Sequence, residues 1–208
     1  MAIDVGAHEG QFFQPLLQAN LVSQLVLFEP HPENAARLRE RFSDPRVMVE
    51  ETAVAAAAGR AELLFGNDTA TGSLLPPIGP TPTATQSRIV PLTSLDDYGT
   101  AHGLIDRVNV LKIDTQGTDL AVLHGAERLL RESRPILIVE LIFAPLYENQ
   151  GDPAALISWL AERGYRLVGF FDEHFSREGW LAWTDACFVP VARQLEYHPP
   201  FRLRGIDD

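Results

Sequence analysis

Short apolar runs of strand length alternate with longer amphipathic segments through most of the chain. A run of about four to eight apolar residues is typical of a buried strand, whereas apolar positions three and four apart indicate a helix. The pattern predicts strands over residues 1–5, 24–29, 46–54, 60–65, 109–114, 135–143, 165–171 and 185–191, with a short strand and a turn of helix within 87–99. It predicts helices over residues 11–20, 32–42, 119–133 and 152–164.

The order of these elements, with a strand pair at the end, predicts an α/β fold of three layers. Its sheet is mostly parallel, carries helices on both faces and includes a terminal antiparallel strand. The chain suits a single domain over residues 1–208. Residues 66–90 are a predicted loop insertion, rich in Gly, Pro, Thr and Ser as far as residue 87. Residues 172–184 connect the last two strands, and the tail 191–208 is expected to be loosely ordered.

Charge and composition narrow the class of partner. The chain has 17 Lys and Arg against 28 Asp and Glu, a formal net charge of −11. This balance argues against a nucleic-acid backbone or an anionic membrane as the main partner. The single cysteine, Cys187, rules out an internal disulfide and fits a reducing, cytoplasmic compartment. No apolar run approaches the roughly 20 residues of a membrane span, and no secretory leader is recognisable.

Ligands of open α/β sheets bind at the carboxyl ends of the strands, so the residues after each strand are candidates for a site. Asp4, Gly6 and Gly10 follow the first strand. His8 stands where a dinucleotide fingerprint has its second glycine, and its side chain would crowd a pyrophosphate, so NAD fits poorly. Glu29 follows the second strand at the spacing of an acid that accepts ribose hydroxyls. A helix cap or a salt bridge is the alternative for Glu29.

Further candidates follow the later strands. The small residues Thr52 and Ala53 leave room for a flat adenine ring, or they are ordinary packing. Lys112 and Asp114 alternate along one strand and point to the same face, as part of a site or as a structural ion pair. Glu140 is an isolated acid in an apolar strand and must be paired or face the cleft.

The segments that carry these residues resemble, in identity and order, the FkbM-type methyltransferases: DVGAHEG, LFEPHPENAARL, ETAVA, LTSLDDY, VLKIDTQGTDLAVLHGAERLL and PILIVEL. Members of that family are class I, S-adenosylmethionine-dependent O-methyltransferases with a Rossmann-like sheet. The resemblance implies a cofactor site made by Asp4, Gly6, Ala7, His8, Gly10, Glu29, Pro30, Thr52 and Ala53. The glycine loop would hold the methionine end, Glu29 the ribose, and the residues after the third strand the adenine.

The resemblance also places Lys112, Asp114 and Glu140 at the floor of the cleft, near the methyl acceptor. Asp114 is the predicted base for an acceptor hydroxyl. Lys112 is an alternative base if burial lowers its pKa, and His174 is a third candidate if the 172–184 connection folds over the site; a solvated loop histidine is the alternative. Asp114 and Glu140 are two carboxylates that could hold Mg²⁺, but no metal is assigned, and the sequence has no zinc-type His/Cys cluster, nucleophile elbow or phosphate loop.

Two positions depart from the family pattern. His8 replaces the commonest residue, Asn, and Gln116 stands where the family often has Glu, which removes a charge near the acceptor. The predicted function is methyl transfer to a hydroxyl of a sugar, glycolipid or polyketide-like metabolite, with residues 66–87 as a lid on the acceptor side. An NAD-linked oxidoreductase and a non-catalytic cofactor-binding relic are the alternatives. The apolar segment FFQPLL and the late tryptophans pack inward or against a second copy in a homo-oligomer.

Overall fold

The computed structural model describes residues 1–79 and 84–191. The strands are β1 (Ala2–Val5), β2 (Leu25–Phe28), β3 (Val47–Glu50), β4 (Ala53–Val54), β5 (Gly59–Phe65), β6 (Gln86–Thr93), β7 (Val110–Ile113), β8 (Ile136–Ile142), β9 (Tyr165–Phe175) and β10 (Leu181–Pro190). The helices are α1 (Gln14–Gln18), α2 (Pro32–Arg41), α3 (Leu95–His102), α4 (Asp119–His124), α5 (Glu127–Ser133) and α6 (Pro153–Glu162), with a 3-10 turn at Thr69–Thr71. Within these described ranges, no helix has the length and apolar character needed to cross a membrane.

Seven strands form one sheet in the order β3-β2-β1-β7-β8-β10-β9. Strand β1 pairs in parallel with β2 on one side and with β7 on the other, so the strand order reverses at β1. Strand β10 is antiparallel to both β8 and β9. The predicted fold class, a mostly parallel Rossmann-like sheet with a terminal antiparallel strand, is confirmed. The carboxyl ends of β1, β2 and β7 meet at the switch point where such sheets bind ligands.

Apolar clusters cover the two faces of the sheet because alternate residues of each strand point to opposite sides. In β1, Ala2 belongs to a smaller cluster that includes Leu38 of α2. Ile3 and Val5 belong to a larger cluster with side chains from α3, α4, α5 and α6. Asp4 follows the alternation onto the side of Ala2 and is buried there. A carboxylate is therefore built into the sheet where the candidate site begins.

The prediction of a single helix over residues 119–133 is wrong. The structure has two helices there, α4 and α5, separated at Gly125. A Cβ on Gly125 would stand 2.2 Å from the carbonyl oxygen of Ala55, so only glycine fits at this close approach. The carboxylate of Asp96, from the start of α3, accepts hydrogen bonds at 2.9 and 2.8 Å from two backbone amides in the first turn of α5. This contact satisfies amides that a helix start leaves free.

The strand predicted over residues 46–54 is also divided. Strand β3 stays in the main sheet until its partner β2 ends, and β4 joins a second sheet of order β4-β6-β5. Strand β6 begins at Gln86, so the loop predicted over 66–90 ends earlier than expected. Residues 80–83 of that loop and the tail from residue 192 onward lie outside the described residues.

The connection predicted over residues 172–184 is mostly strand. Strands β9 and β10 form a long hairpin that remains paired as far as Phe175 and Leu181. The residues in this part of β9 are exposed on both faces of the sheet, and all of them are polar or aromatic. Exposure on both faces removes the alternation of apolar and polar positions by which a half-buried strand is recognised.

Candidate active site

Two adjacent clefts open at the carboxyl ends of β1, β2 and β7. The first cleft is lined by the predicted cofactor residues Gly6, His8, Glu29, Pro30, Thr52 and Ala53. The second cleft is lined by Asp4, Ala7 and Lys112, together with Asp172 and Asp185 from the terminal hairpin. Gly6, His8 and Asp114 line both clefts. Most of the residues predicted to form the site therefore lie together.

Gly6 allows the end of β1 to approach the end of β7. Its φ is +78°, and a Cβ on it would stand 1.9 Å from the carbonyl oxygen of Asp114. Both the left-handed backbone and the lack of space require glycine here. Gly10, predicted to hold the cofactor together with Gly6, lines neither cleft. A Cβ on Gly10 would stand 2.5 Å from the ring of Phe42, so this glycine is needed for packing against the end of α2.

Glu29 joins the glycine loop to the start of α2 and also lines the first cleft. Its Oε2 accepts a hydrogen bond from the backbone amide of His8 at 2.7 Å, and its Oε1 accepts one from that of His31 at 2.9 Å. Burial raises the pKa of Glu29 to about 7, although the two backbone amides oppose this shift. Each carboxylate oxygen has a second lone pair, so Glu29 can also accept hydrogen bonds from ribose hydroxyls.

Lys112 is a buried cation between two carboxylates. Its Nζ lies 3.0 Å from Oδ2 of Asp114 and 4.0 Å from Oδ1 of Asp4, the residue beside it on β1. Burial favours a lower pKa for Lys112, but the two carboxylates outweigh burial and raise its pKa above the ordinary value. For Asp114, burial is likewise outweighed, and the lysine holds its pKa below the usual range. Lys112 therefore stays charged and does not meet the condition for acting as a base.

Asp4 lines the second cleft and has one buried oxygen, Oδ1, which lies 4.0 Å from Nζ of Lys112. The residue is 1% exposed, and within the described part of the chain its Oδ1 has no hydrogen-bond partner. Burial raises the pKa of Asp4 to about 6, while Lys112 opposes this shift. A buried oxygen without a donor is costly unless a ligand supplies one.

Gln116 connects Asp114 to Glu140. Its Nε2 donates to Oδ1 of Asp114 at 3.1 Å and to Oε2 of Glu140 at 2.9 Å, and its Oε1 accepts from the Tyr147 hydroxyl at 2.7 Å. Glu140 lines neither cleft and contacts the site through Gln116, which corrects its predicted place at the cleft floor. Burial, with Asp114 nearby, raises the pKa of Glu140 well above its ordinary value.

Both carboxylate oxygens of Asp114 face hydrogen-bond donors. Lys112 donates to Oδ2, and the Gln116 amide donates to Oδ1 while it also contacts Glu140. Ammonium and amide groups thus occupy the positions through which the two carboxylates would bind Mg²⁺. Over residues 1–79 and 84–191, no group of three or more His, Cys, Asp or Glu side chains is arranged to hold a metal ion. The geometry gives no support to the magnesium alternative.

The segment after β5 lies beside the first cleft. Thr69 lines this cleft, and its Oγ1 is 3.3 Å from Nε2 of His8 and donates to Oδ1 of Asn34 at 3.2 Å. Farther along, the buried Ser73 donates from Oγ to the carbonyl oxygen of Gln116 at 2.7 Å. This segment, predicted as an acceptor-side lid, therefore contacts the first cleft, which is lined by Glu29, Thr52 and Ala53. Thr69 was not predicted as a site residue. Its loop is rich in Gly, Thr and Ser and has no repeating pattern that shows which hydroxyl groups point into the cleft.

The terminal hairpin contributes two acids that the sequence prediction lacks. His174 lies on β9, where its ring stacks on Trp183 with centroids 4.8 Å apart and its Nε2 lies 3.4 Å from Oδ1 of Asp172. His174 lines neither cleft, so it does not meet the condition under which it would be a candidate base. Asp185, opposite Glu140 in the β8–β10 ladder, lines the second cleft, and burial raises its pKa to about 6. The sequence signal that could have identified Asp185 was its place as an isolated acid in the last apolar run.

Comparison with known proteins agrees with this geometry. Residues 4–167 match the family described as the Methyltransferase FkbM domain. The chain is 27% identical over 182 residues to the 2-O-methyltransferase NoeI of Sinorhizobium fredii, across 81% of this chain and 73% of that protein.

Solved structures share the fold. The structure is similar to methyltransferase FkbM of Methylobacillus flagellatus, with a TM-score of 0.58 and 18% identity over 90% of this chain. The chain spans 42% of the length of that relative. It is also similar to magnesium protoporphyrin IX methyltransferase of Synechocystis with bound SAM, with a TM-score of 0.50 and 10% identity over 90% of this chain and 69% of the other.

The family match covers the glycine loop, Glu29 and the residues of β7 and β8. S-adenosylmethionine is the cofactor of this class, and the residues predicted to hold it line the two adjoining clefts, Glu29 in the first and Asp4 in the second. The chain therefore belongs to the FkbM family of S-adenosylmethionine-dependent methyltransferases.

Proposed function

We propose that this protein transfers a methyl group from S-adenosylmethionine to a hydroxyl of a sugar, glycolipid or polyketide-like metabolite. The junction of the two clefts at Gly6 and Asp114 carries the proposal. One cleft has the residues suited to a nucleoside, and the other has acidic side chains suited to an acceptor. Transfer to oxygen is supported by the relative named 2-O-methyltransferase NoeI.

Residues of both clefts hold the cofactor in this proposal. Glu29 accepts hydrogen bonds from the ribose hydroxyls, and Thr52 and Ala53 lie against the adenine. Asp4 accepts a hydrogen bond from the ammonium group at the methionine end, and Ala7 lines the same cleft. The bound cofactor supplies an electrophilic methyl group on a sulfonium. Alignment of that methyl group with the acceptor oxygen is the main contribution of the protein.

The acceptor hydroxyl also needs a group that takes its proton. Asp114 is poorly suited because one carboxylate oxygen contacts Lys112 and the other contacts Gln116. Asp185 lines the second cleft, and no residue of the described chain donates a hydrogen bond to its carboxylate. We therefore assign to Asp185 the role of the base that takes the proton of the acceptor hydroxyl. Asp114 keeps Lys112 in place beneath the acceptor.

The charge of the second cleft favours certain acceptors. Its lining includes one lysine and the acids Asp4, Glu9, Asp114, Asp172 and Asp185. Like charges placed together across a binding surface disfavour the wrong partner. Neutral or amine-bearing acceptors are therefore expected to be methylated in preference to those with phosphate, sulfate or carboxylate groups.

Calorimetric titration with S-adenosylhomocysteine tests the cofactor site, with NAD as the control ligand. Glu33→Ala is a matched control for Glu29→Ala because the Glu33 side chain is 72% exposed on α2. We expect micromolar binding by the wild type and by Glu33→Ala, and binding about tenfold weaker or worse in Glu29→Ala, a loss of about 1.4 kcal/mol. Binding of NAD alone would favour the oxidoreductase alternative. Cofactor binding without turnover on any acceptor would favour the non-catalytic relic.

Transfer of labelled methyl groups to neutral, aminated and anionic saccharides tests the acceptor proposal. Asp185→Asn should lower kcat by about 10²–10⁴-fold while S-adenosylhomocysteine still binds. Asp106→Asn, at an exposed position, is the control for a changed carboxylate. A larger loss of kcat in Asp114→Asn than in Asp185→Asn, with ligand binding intact in both, would return the base role to Asp114.

A further inference from the structure

Lys112 differs from every other basic residue of the chain. Of the 17 Lys and Arg residues it is the only lysine, and its side chain is 9% exposed. A buried ammonium group is costly unless its hydrogens find acceptors. The ion pair with Asp114 uses one of the three hydrogens of this group, so it does not by itself account for the buried lysine.

The Nζ atom of Lys112 lies among residues of the second cleft. It is 3.0 Å from Oδ2 of Asp114, 4.0 Å from Oδ1 of Asp4 and 5.8 Å from the ring centroid of Phe12. All three neighbours line the second cleft, as Lys112 itself does. A cation within about 6 Å of a ring centroid is attracted to the face of the ring. These neighbours therefore hold the ammonium group at the wall of the proposed acceptor cleft.

Two hydrogens of this ammonium group remain available to a ligand. In the described part of the chain, Nζ donates one hydrogen bond, to Oδ2 of Asp114, and its 4.0 Å separation from Asp4 is too long for a second. Burial lowers the pKa of Lys112, but the carboxylates of Asp114 and Asp4 outweigh burial and raise it, so the group keeps its charge at neutral pH. The cleft wall therefore carries a charged donor with free hydrogens.

The acceptor oxygen needs such a donor during methyl transfer. A hydroxyl group becomes a good nucleophile only as its proton leaves, and the carboxylate of Asp185 is a much weaker base than an alkoxide. Negative charge therefore develops on the acceptor oxygen, and a fixed cation that donates a hydrogen bond to it lowers the barrier. Lys112 and Asp185 line the same cleft, so one acceptor can contact both groups.

We propose that Lys112 is a catalytic residue whose ammonium group donates a hydrogen bond to the acceptor oxygen and stabilises the negative charge that develops there. The acceptor oxygen forms its bond to the methyl carbon as the carbon–sulfur bond breaks, and the sulfur keeps the electron pair of that bond. The proton of the hydroxyl passes to Asp185, and Lys112 keeps all three of its hydrogens. This role rests on the proposed function, because it needs a hydroxyl acceptor in the second cleft.

Nitrogen NMR of the full chain tests the contact without a substitution. Incorporation of lysine labelled at Nζ gives one signal, because Lys112 is the only lysine in the sequence. S-adenosylhomocysteine is added first, followed by the neutral saccharide that the wild type methylates fastest. We expect the Nζ signal to shift when the saccharide is added. An unchanged signal at saturating saccharide would overturn the contact.

Lys112→Gln removes the charge and keeps an amide that can donate to Asp114. Its kcat should fall by about 10²–10³-fold, the loss typical of one missing donor to a developing negative charge, while S-adenosylhomocysteine still binds. Arg60→Gln, at an exposed position on β5, is the control for a lost cation and should keep the wild-type kcat. Unchanged kcat in Lys112→Gln would overturn the proposal. A loss of ligand affinity as large as the loss of kcat would also overturn it, because the ammonium group would then belong to the cofactor site.

The acidity of the acceptor separates this role from a structural one. A fluorine on the carbon next to the reacting hydroxyl makes that hydroxyl more acidic, so transfer to it needs less help from a cation. The loss of kcat in Lys112→Gln should therefore be about tenfold smaller on the fluorinated saccharide than on its parent. Equal losses on both saccharides would indicate a structural role and contradict the proposal. Absence of turnover by the wild type on every acceptor would instead overturn the proposed function, and the role of Lys112 with it.

Discussion

Replacement of Gly6 by alanine should destabilise the fold and close the junction between the two clefts. Two costs add at this position. An alanine in the left-handed backbone at φ +78° costs about 1–2 kcal/mol. A Cβ 1.9 Å from the carbonyl oxygen of Asp114 forces the ends of β1 and β7 apart, and overpacking costs about 1–3 kcal/mol more. The sum, about 2–5 kcal/mol, is a large part of a typical free energy of unfolding of about 5–15 kcal/mol.

Gly164→Ala separates these two costs. Gly164, after α6, has the same φ of +78°, but a Cβ on it would meet no atom within 4 Å. Its replacement carries the backbone cost alone, about 1–2 kcal/mol. The effect of alanine on the entropy of the unfolded chain is common to both variants and cancels. The difference between the variants therefore measures the contact of Gly6 with Asp114.

Urea unfolding followed by circular dichroism gives the two free energies of unfolding, and calorimetry with S-adenosylhomocysteine gives a second readout. We expect Gly6→Ala to be less stable than Gly164→Ala by about 1–3 kcal/mol, the overpacking cost. Only Gly6→Ala should also lose ligand affinity, because Gly6 lines both clefts. Equal destabilisation of the two variants would refute the close approach of β1 and β7.

The charged network supports three more predictions. S-adenosylhomocysteine should bind more tightly as the pH rises through about 7, because the ionised form of Glu29 accepts both ribose hydroxyls; calorimetry should show a loss of about tenfold one unit below that pKa, and a slope that persists in Glu29→Gln would contradict this. Lys112→Met leaves Asp114 buried and unpaired and should cost about 3–5 kcal/mol of unfolding free energy at neutral pH. Because the pKa of Asp114 is lowered in the folded protein, its ionised form stabilises the fold above the ordinary carboxyl pKa, and this stabilisation is lost as the pH falls. Urea unfolding should therefore show the free energies of unfolding of the wild type and Lys112→Met converging in acid. Tyr147→Phe removes the 2.7 Å hydrogen bond to Gln116 and should cost about 1 kcal/mol and lower kcat, with ligand affinity unchanged; a loss of affinity equal to the loss of kcat would place Tyr147 in the cofactor site instead.

The range of the interactions explains which elements could be predicted. Strands β1, β2, β7 and β8 and helices α2 and α6 lie where the apolar pattern predicts them, because that pattern is local. The separate start of α5 is capped by the carboxylate of Asp96, which accepts hydrogen bonds from amides 32 and 33 residues farther along the chain. No local pattern shows such a contact. Gly10 was placed in the site because a glycine needed for packing and one needed for a ligand look alike in a sequence.

The sequence by itself determined the order of the elements and which residues follow each strand. Parallel strands carry their carboxyl ends to one edge, so Glu29, Thr52 and Asp114 could be placed together before any coordinates. Only the tertiary structure decided which carboxylate remains free. The sheet order β7-β8-β10 brings Asp185 to the cleft of Lys112, and hydrogen bonds from Lys112 and Gln116 fill both oxygens of Asp114. Asp185 and Lys112 are far apart in the chain, so only the packing of the sheet brings them to one cleft. Lys112 and Gln116 are close to Asp114 in the chain, but the sequence does not show in which direction their side chains point.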